Sequence, residues 1–266
     1  MNSLLRPIVR PFVPSLEAIG GLVWLSIDTI RETAGHMWRG RAPFRADIFF
    51  LQADRVGYGS VPLVTLISFF LGLTMALLVG YELRKFGSQN LVPALVGVSF
   101  TRELGPLMTG IVVAARIGAA YTAELGTMTV SEEVEAIESM GIGPLRYLVA
   151  PRVLAVFLLM PCLSVISNLA ALAGAAIICK VQLELSYLFF IRKVLDNLIV
   201  RDIVAGELKG LLFGLIIGVI SCYKGLAVRG GATGVGDSTT SSVVTAVTTV
   251  IAADTLFNIA LVAFYE

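Results

Sequence analysis

The chain has 266 residues, of which 56% are hydrophobic and only 15% charged, and its mean hydropathy is +0.86. A soluble domain carries about 25% charged residues, so this composition excludes an ordinary soluble enzyme or binding module. A formal net charge of +1 does not suggest nucleic-acid binding.

The first 21 residues lack a continuous apolar core and a small-residue cleavage site, which predicts neither a signal peptide nor a transit peptide. Over residues 16–38, Leu16, Ile19, Val23, Ile27, Ile30 and Ala34 recur at helical spacing. Glu17, Asp28, Arg31 and Glu32 leave too short an apolar run to cross a bilayer, so residues 16–38 read as an interfacial helix. Residues 56–81 carry no charge and form the first span, since a crossing helix needs about 20 apolar residues. A turn with Gly87 and Asn90 leads to the second span, 93–124, which contains Arg102, Glu103 and Arg116; Gly105 and Pro106 are set to bend it.

In the connection that follows, Thr129 and Glu132 have capping-box spacing. Val130, Val134, Ile137 and Met140 make an apolar stripe, and Gly141 and Pro144 stop the helix. The pattern predicts a short amphipathic helix over 130–140 with Glu132, Glu133, Glu135 and Glu138 on its wetter sides. Span three covers 153–179, and residues 180–202 form an amphipathic stretch at the surface. Span four, 203–223, holds Glu207 and Lys209. The Gly-rich residues 225–236 read as a turn near the connection, and span five, 241–265, holds Asp254.

The expected fold is therefore an all-α membrane protein, a single domain over residues 1–266 with an interfacial helix and five transmembrane helices. With the N-terminus inside, the inner segments 1–55, 125–152 and 224–237 hold 11 Lys and Arg. The outer segments 81–93 and 180–202 hold 6, which favours a cytoplasmic N-terminus and a C-terminus on the outer side. His36, the single histidine, leaves no His-based metal site, and Cys162, Cys179 and Cys222 read as buried small hydrophobes.

An ionisable residue inside a span costs at least about 2.5–3.5 kcal/mol, so each is a functional candidate. Arg102 and Glu103 lie roughly 14 Å into the bilayer, counted from Pro93. They are candidates for binding an amphiphile, with a structural ion pair between helices as the alternative. Arg116 is placed to snorkel to the inner headgroups. Lys209 and Asp254 fall in the outer halves of their spans and are a candidate intramembrane pair. Gly210, Gly214 and Gly218, like Gly110, Ala114, Gly118 and Thr122, recur every four residues. Such stripes serve close packing within a subunit or self-association.

Glu135-Ala136, with Gly141 five residues on and a proline downstream, resembles the E-A-A-x-x-x-G loop of ABC importer permeases. The run RELGPLMTGIVVAARIGAAYTAELGTMTVSEEVEAIESMGIGPLRYLVAPRVLA (102–155) and the block SCYKGLAVRGGATGVGDSTTSSVV (221–244) together resemble the MlaE/YrbE permease family. That resemblance implies a homodimer with a lipid pocket at its axis, bordered by Arg102 and Glu103. It implies a cytoplasmic ABC ATPase dimer coupled through Glu132, Glu133, Glu135, Ile137, Glu138, Met140 and Gly141. It also implies an MCE-domain protein on the outer side of the bacterial inner membrane, and leaves room for a small STAS-type subunit. The cargo would be a phospholipid or another hydrophobic molecule. No G-x-x-x-x-G-K-[ST] occurs, and Gly234-Val235-Gly236-Asp237-Ser238-Thr239 lacks the phosphate-neutralising lysine. The chain is thus expected to be no enzyme, to hold no cofactor or metal, and to rely on ATP bound by its partner. Two rivals remain: a secondary transporter or channel using Arg102, Glu103, Lys209 and Asp254 as an ion path, and a non-transporting scaffold.

Overall fold

The computed structural model describes residues 46–263. The expected interfacial helix over 16–38 and the last three residues lie outside the described residues. Among the described residues, nine α-helices are numbered in chain order: α1 (Ala46–Lys85), α2 (Val92–Ser99), α3 (Gly105–Val113), α4 (Ala119–Val130), α5 (Glu133–Ser139), α6 (Ala150–Gln182), α7 (Tyr187–Asn197), α8 (Val200–Leu226) and α9 (Gly231–Ala263). Five stretches are long and apolar enough to cross a membrane: Asp47–Lys85, Gln89–Val130, Leu145–Gln182, Val200–Leu226 and Gly231–Ala263. They run past the expected ends by up to a few turns because helices continue beyond the hydrocarbon into the headgroups.

Close approaches fix the directions. Gly57, Gly72 and Gly80 of α1 meet Leu159, Ala171 and Leu183 of α6 in increasing order, so these helices run parallel. Gly210, Gly214 and Gly218 of α8 meet Pro161, Met160 and Val153 of α6, which is antiparallel packing within one subunit. A Cβ at Gly72 would stand 1.9 Å from the Ala171 carbonyl oxygen, so only glycine permits this crossing. The α8 stripe therefore serves internal packing, and so does the α3–α4 stripe, where Gly110 faces Phe213 and Gly118 faces Ser221. Hydroxyl pairs add polar glue between helices: Ser68 Oγ to Ser167 Oγ at 2.7 Å, and Thr122 Oγ1 to Ser242 Oγ at 2.8 Å.

The second span is one helix interrupted twice by a π-turn, Phe100–Leu104 and Ala114–Gly118. Each carries a charged group of the span, Arg102 with Glu103 on the first and Arg116 on the second. A π-turn inserts one residue into the helical register and re-aims the side chains around it. The first π-turn ends immediately before Gly105 and Pro106, where a bend is expected.

Four local readings differ. The Thr129–Glu132 capping box does not form, because α4 runs through Val130 and Thr129 Oγ1 donates back to the Leu125 carbonyl at 2.8 Å. The turn between the helices is made by Glu132, at φ 60°, so α5 starts at Glu133. Its end is as expected: Gly141 sits at φ 76° and its N–H returns to Glu138 O. Most of the expected turn over 225–236 is helix, since α9 begins at Gly231 and only residues 227–230 connect it to α8. Glycine tolerates a membrane helix well. Finally, Cys179 and Cys222 are buried but Cys162 is exposed on the outside of α6.

Candidate functional site

Charged side chains gather at two levels of the bundle. The first is nearer the end that carries α7. Lys209 lies nine residues from the start of α8 and Asp254 nine from the end of the antiparallel α9, so the two reach the same depth, about 14 Å along each helix. The Lys209 side chain is wholly buried. Its Nζ donates to Glu103 Oε2 at 2.5 Å and to Asn258 Oδ1 at 2.7 Å. Asp254 Oδ1 stands 2.9 Å from the same nitrogen, an ion-pair distance, at an angle that makes no hydrogen bond. Asn258 Nδ2 donates to Glu103 Oε2 at 3.1 Å and closes the ring. The Phe257 ring centroid is 5.6 Å from Nζ, which adds a cation–π contact.

Arg102 stands apart from this ring. Its Nε is 3.9 Å from Glu103 Oε1, the edge of ion-pair range, and its side chain is 33% exposed. The structure therefore brings Glu103, Lys209 and Asp254 together and leaves Arg102 beside them with most of its five donors uncommitted. An apolar cavity of about 200 Å³ adjoins this π-turn between α1 and the second span, lined by Leu71, Thr74, Met75, Phe100, Leu104 and Met108.

The second level lies at the end that carries α5. Glu124 of α4 accepts from Arg55 Nη1 of α1 at 2.8 Å and from Arg152 Nη2 of α6 at 3.1 Å. Arg152 is nearly buried, donates also to the Leu148 carbonyl at 2.8 Å, and lies 5.8 Å from the Tyr121 ring. Arg116 is exposed, and its Nη1 donates to Ser60 Oγ at 2.8 Å and to the Arg55 carbonyl at 3.4 Å.

Glu124 lies nine residues before α5, so the ion triad stands within three turns of that helix. On α5, Glu132, Glu133, Glu135, Glu138 and Met140 are exposed, whereas Val134 and Ile137 pack against the cluster around Leu125, Val149 and Val219. The short helix is thereby tied to α4, α6 and α8 through two side chains.

Sequence reading missed Asn258, Arg152 and the pairing role of Arg55. Asn258 lies one turn beyond Asp254, a spacing that a search for charges alone passes over. Arg152 sits at the end of the charge-free run of span three and reads as an ordinary flanking cation.

The family model described as "Permease MlaE" matches residues 49–260. A probable ABC transporter permease protein of Rickettsia prowazekii is 34% identical over 204 residues, 77% of this chain and 79% of that protein. A probable ABC transporter permease protein of Synechocystis is 34% identical over 79% of each chain. The chloroplastic protein TRIGALACTOSYLDIACYLGLYCEROL 1 of Arabidopsis thaliana is 36% identical over 76% of this chain and 58% of its own.

Proposed function

The chain belongs to the MlaE permease family and is a multi-pass membrane protein, and from that premise we propose that it is the lipid-handling membrane subunit of an ATP-driven transporter. The single observation that carries the reading is one π-turn that bears both Arg102, with most of its donors uncommitted, and Phe100 and Leu104, which line an apolar cavity. A guanidinium with free donors matches a phosphodiester, and the cavity beside it has room for a stretch of acyl chain. Glu103 has a different task. With Oε2 committed to Lys209 and Asn258, it anchors the turn and leaves Arg102 to the ligand. The name of the Arabidopsis relative points to a glycerolipid and supports a lipid cargo.

The acidic helix α5 is the proposed docking element for a separate cytoplasmic ABC ATPase, which binds and hydrolyses the ATP; this chain is non-catalytic. Glu132, Glu133, Glu135 and Glu138 offer charge, Met140 offers an apolar contact, and Gly141 stops the helix so that it behaves as one short lever. The α5 end then faces the cytoplasm, consistent with the distribution of Lys and Arg. A homodimer is proposed, with α9 contributing to it: only 11% of its most apolar stretch is buried, against 56% for α8. An MCE-domain protein on the outer side and a STAS-type subunit are further proposed partners, with the bacterial inner membrane as the location.

Two measurements test the reading. Arg102→Ala should lower co-purifying lipid phosphorus by about tenfold, the value of one charge-assisted hydrogen bond, and Glu103→Ala should lower it less. Unchanged lipid retention in both would overturn the lipid site. Charge reversal at Glu133 and Glu135 should abolish co-purification of the ATPase, while transport in proteoliposomes without any ATPase would establish the secondary-transporter reading instead.

A further inference from the structure

The buried apolar core is not continuous along the bundle. An inner block holds Val113 and Ile117 of the second span, Val156 and Leu163 of α6, and Phe213 of α8; α5 is tied to the same end through Val134 and Ile137. An outer block holds Val96 and Phe100 of the second span, Ala171 and Ala175 of α6, and Phe190 and Val194 of α7. Among the described residues, the clusters have no buried member between Phe100 and Val113 on the second span. The same gap falls between Leu163 and Ala171 on α6 and between Val56 and Ala76 on α1.

Polar side chains and glycine occupy that gap, all at one level. Ser68 Oγ of α1 and Ser167 Oγ of α6 are 2.7 Å apart, and Ser167 Oγ reaches the Gly105 carbonyl at 3.5 Å. The Asn168 amide oxygen fills the place that a Cβ on Gly105 would take. From α8, Gly206 lies against the Thr101 carbonyl and Pro106, and Gly210 lies against Pro161. The layer therefore crosses α1, the second span, α6 and α8 at the depth of Lys209.

Two features make this layer weaker than the blocks it separates. Thr109, Ser164 and Asn168 are buried, and each has a side-chain oxygen without a hydrogen-bond partner. Thr109 lies one turn inward from Gly105, and Ser164 one turn inward from Asn168, so the three stand on facing sides of one antiparallel helix pair. Sealed oxygens of this kind call for an explanation, and a second arrangement in which water reaches them supplies one. The other feature is in the backbone. Pro106 and Pro161 each remove a donor from their helix, and proline is a usual site of bending. Motion concentrates where buried apolar contacts are few, while packed blocks move as units.

We propose that this layer is a hinge. The inner block, with α5, tilts against the outer block, with α7, as the second span bends at Pro106 and α6 bends at Pro161. In the tilted state water reaches Thr109, Ser164 and Asn168. The first π-turn lies on the border, since Phe100 belongs to the outer block and Leu107 packs on the inner one. The hinge thereby sets the angle at which the turn bearing Arg102 is presented. It rests on neither the lipid reading of Arg102 nor ATPase docking.

Hydrogen exchange of the full-length protein in nanodiscs, without any ATPase, tests the layer directly. In an uninterrupted membrane helix the middle is the best protected part, because opening starts at the ends. Here the amides of residues 162–168 should exchange about tenfold faster than those of residues 153–160 and 171–179. Greatest protection at 162–168 would overturn the proposal. A second measurement uses a small water-soluble methanethiosulfonate on protein whose Cys162, Cys179 and Cys222 are replaced by alanine. Ser164→Cys should react about tenfold faster than Ala155→Cys and Ala171→Cys, which probe the two blocks; equal rates would count against the hinge. Pro161→Ala, which restores the missing donor, should slow both exchange and labelling several-fold. No change in either would remove the bend from the mechanism and overturn the hinge. None of these readouts involves lipid retention or the ATPase, so failure here is distinct from failure of the Arg102 or α5 readings.

Discussion

Lys209 and Glu124 each join three segments of the bundle through one central ion, with opposite signs and in opposite surroundings. Lys209 is a cation with no exposed surface, enclosed by two carboxylates and an amide from the first π-turn and α9. Glu124 is an anion with 35% of its side chain exposed, held by a nearly buried Arg152 and by an Arg55 that is 53% exposed. Removing a partner from the first strands charge in a medium with no water to replace it, whereas the second is open to solvent on one side. The closed cluster is suited to hold geometry while something beside it, Arg102, does the binding. The open one is suited to break and re-form, and it sits between the two helices, α4 and α6, that flank α5.

That contrast can be broken in order of expected size. Lys209→Met leaves Glu103 and Asp254 uncompensated, and should lower unfolding stability in detergent by about 3–5 kcal/mol. A wild-type unfolding temperature would mean that the closed cluster does not hold the fold. Glu124→Gln removes the counter-ion of Arg152 but keeps a hydrogen-bond acceptor, so its cost should be smaller, about 2 kcal/mol. Stability measured by denaturant titration that fell as far as for Lys209→Met would erase the distinction between the levels. Arg55→Gln should cost only about 0.5 kcal/mol, because the pair is exposed and salt-screened, and the difference from wild type should shrink further as ionic strength rises. A sharper form of the comparison is functional: Glu124→Gln should disturb the coupling of ATP hydrolysis to lipid movement more than it disturbs lipid retention, with Arg102→Ala showing the reverse.

The five spans were legible because hydrocarbon rejects charge: spans one and three show as charge-free runs bounded by ions, and the other three as apolar runs with only a few charges inside. The α5 stop was legible too, since Gly141 needs a positive φ that few other residues adopt. The closeness of Lys209 and Asp254 could be anticipated from their equal depth in neighbouring antiparallel helices. Glu103 was read with Arg102, its chain neighbour, and the structure pairs it instead with Lys209 from α8. Residues 231–236 were read as a turn on glycine content alone, yet they start a helix, because glycine is neutral enough in a membrane helix for tertiary packing to decide.

The amino-acid sequence by itself determined the class, the five long apolar stretches and the presence of a short acidic helix. These follow from transfer free energies and helical periodicity, which act residue by residue along one chain. Only the tertiary structure decided which charges are closed off and which stay available. That depends on the register of neighbouring helices, and here the register is shifted by two π-turns that no local pattern announces. One places Glu103 against Lys209 and leaves Arg102 outside that ring; the other lays Arg116 across Gly59.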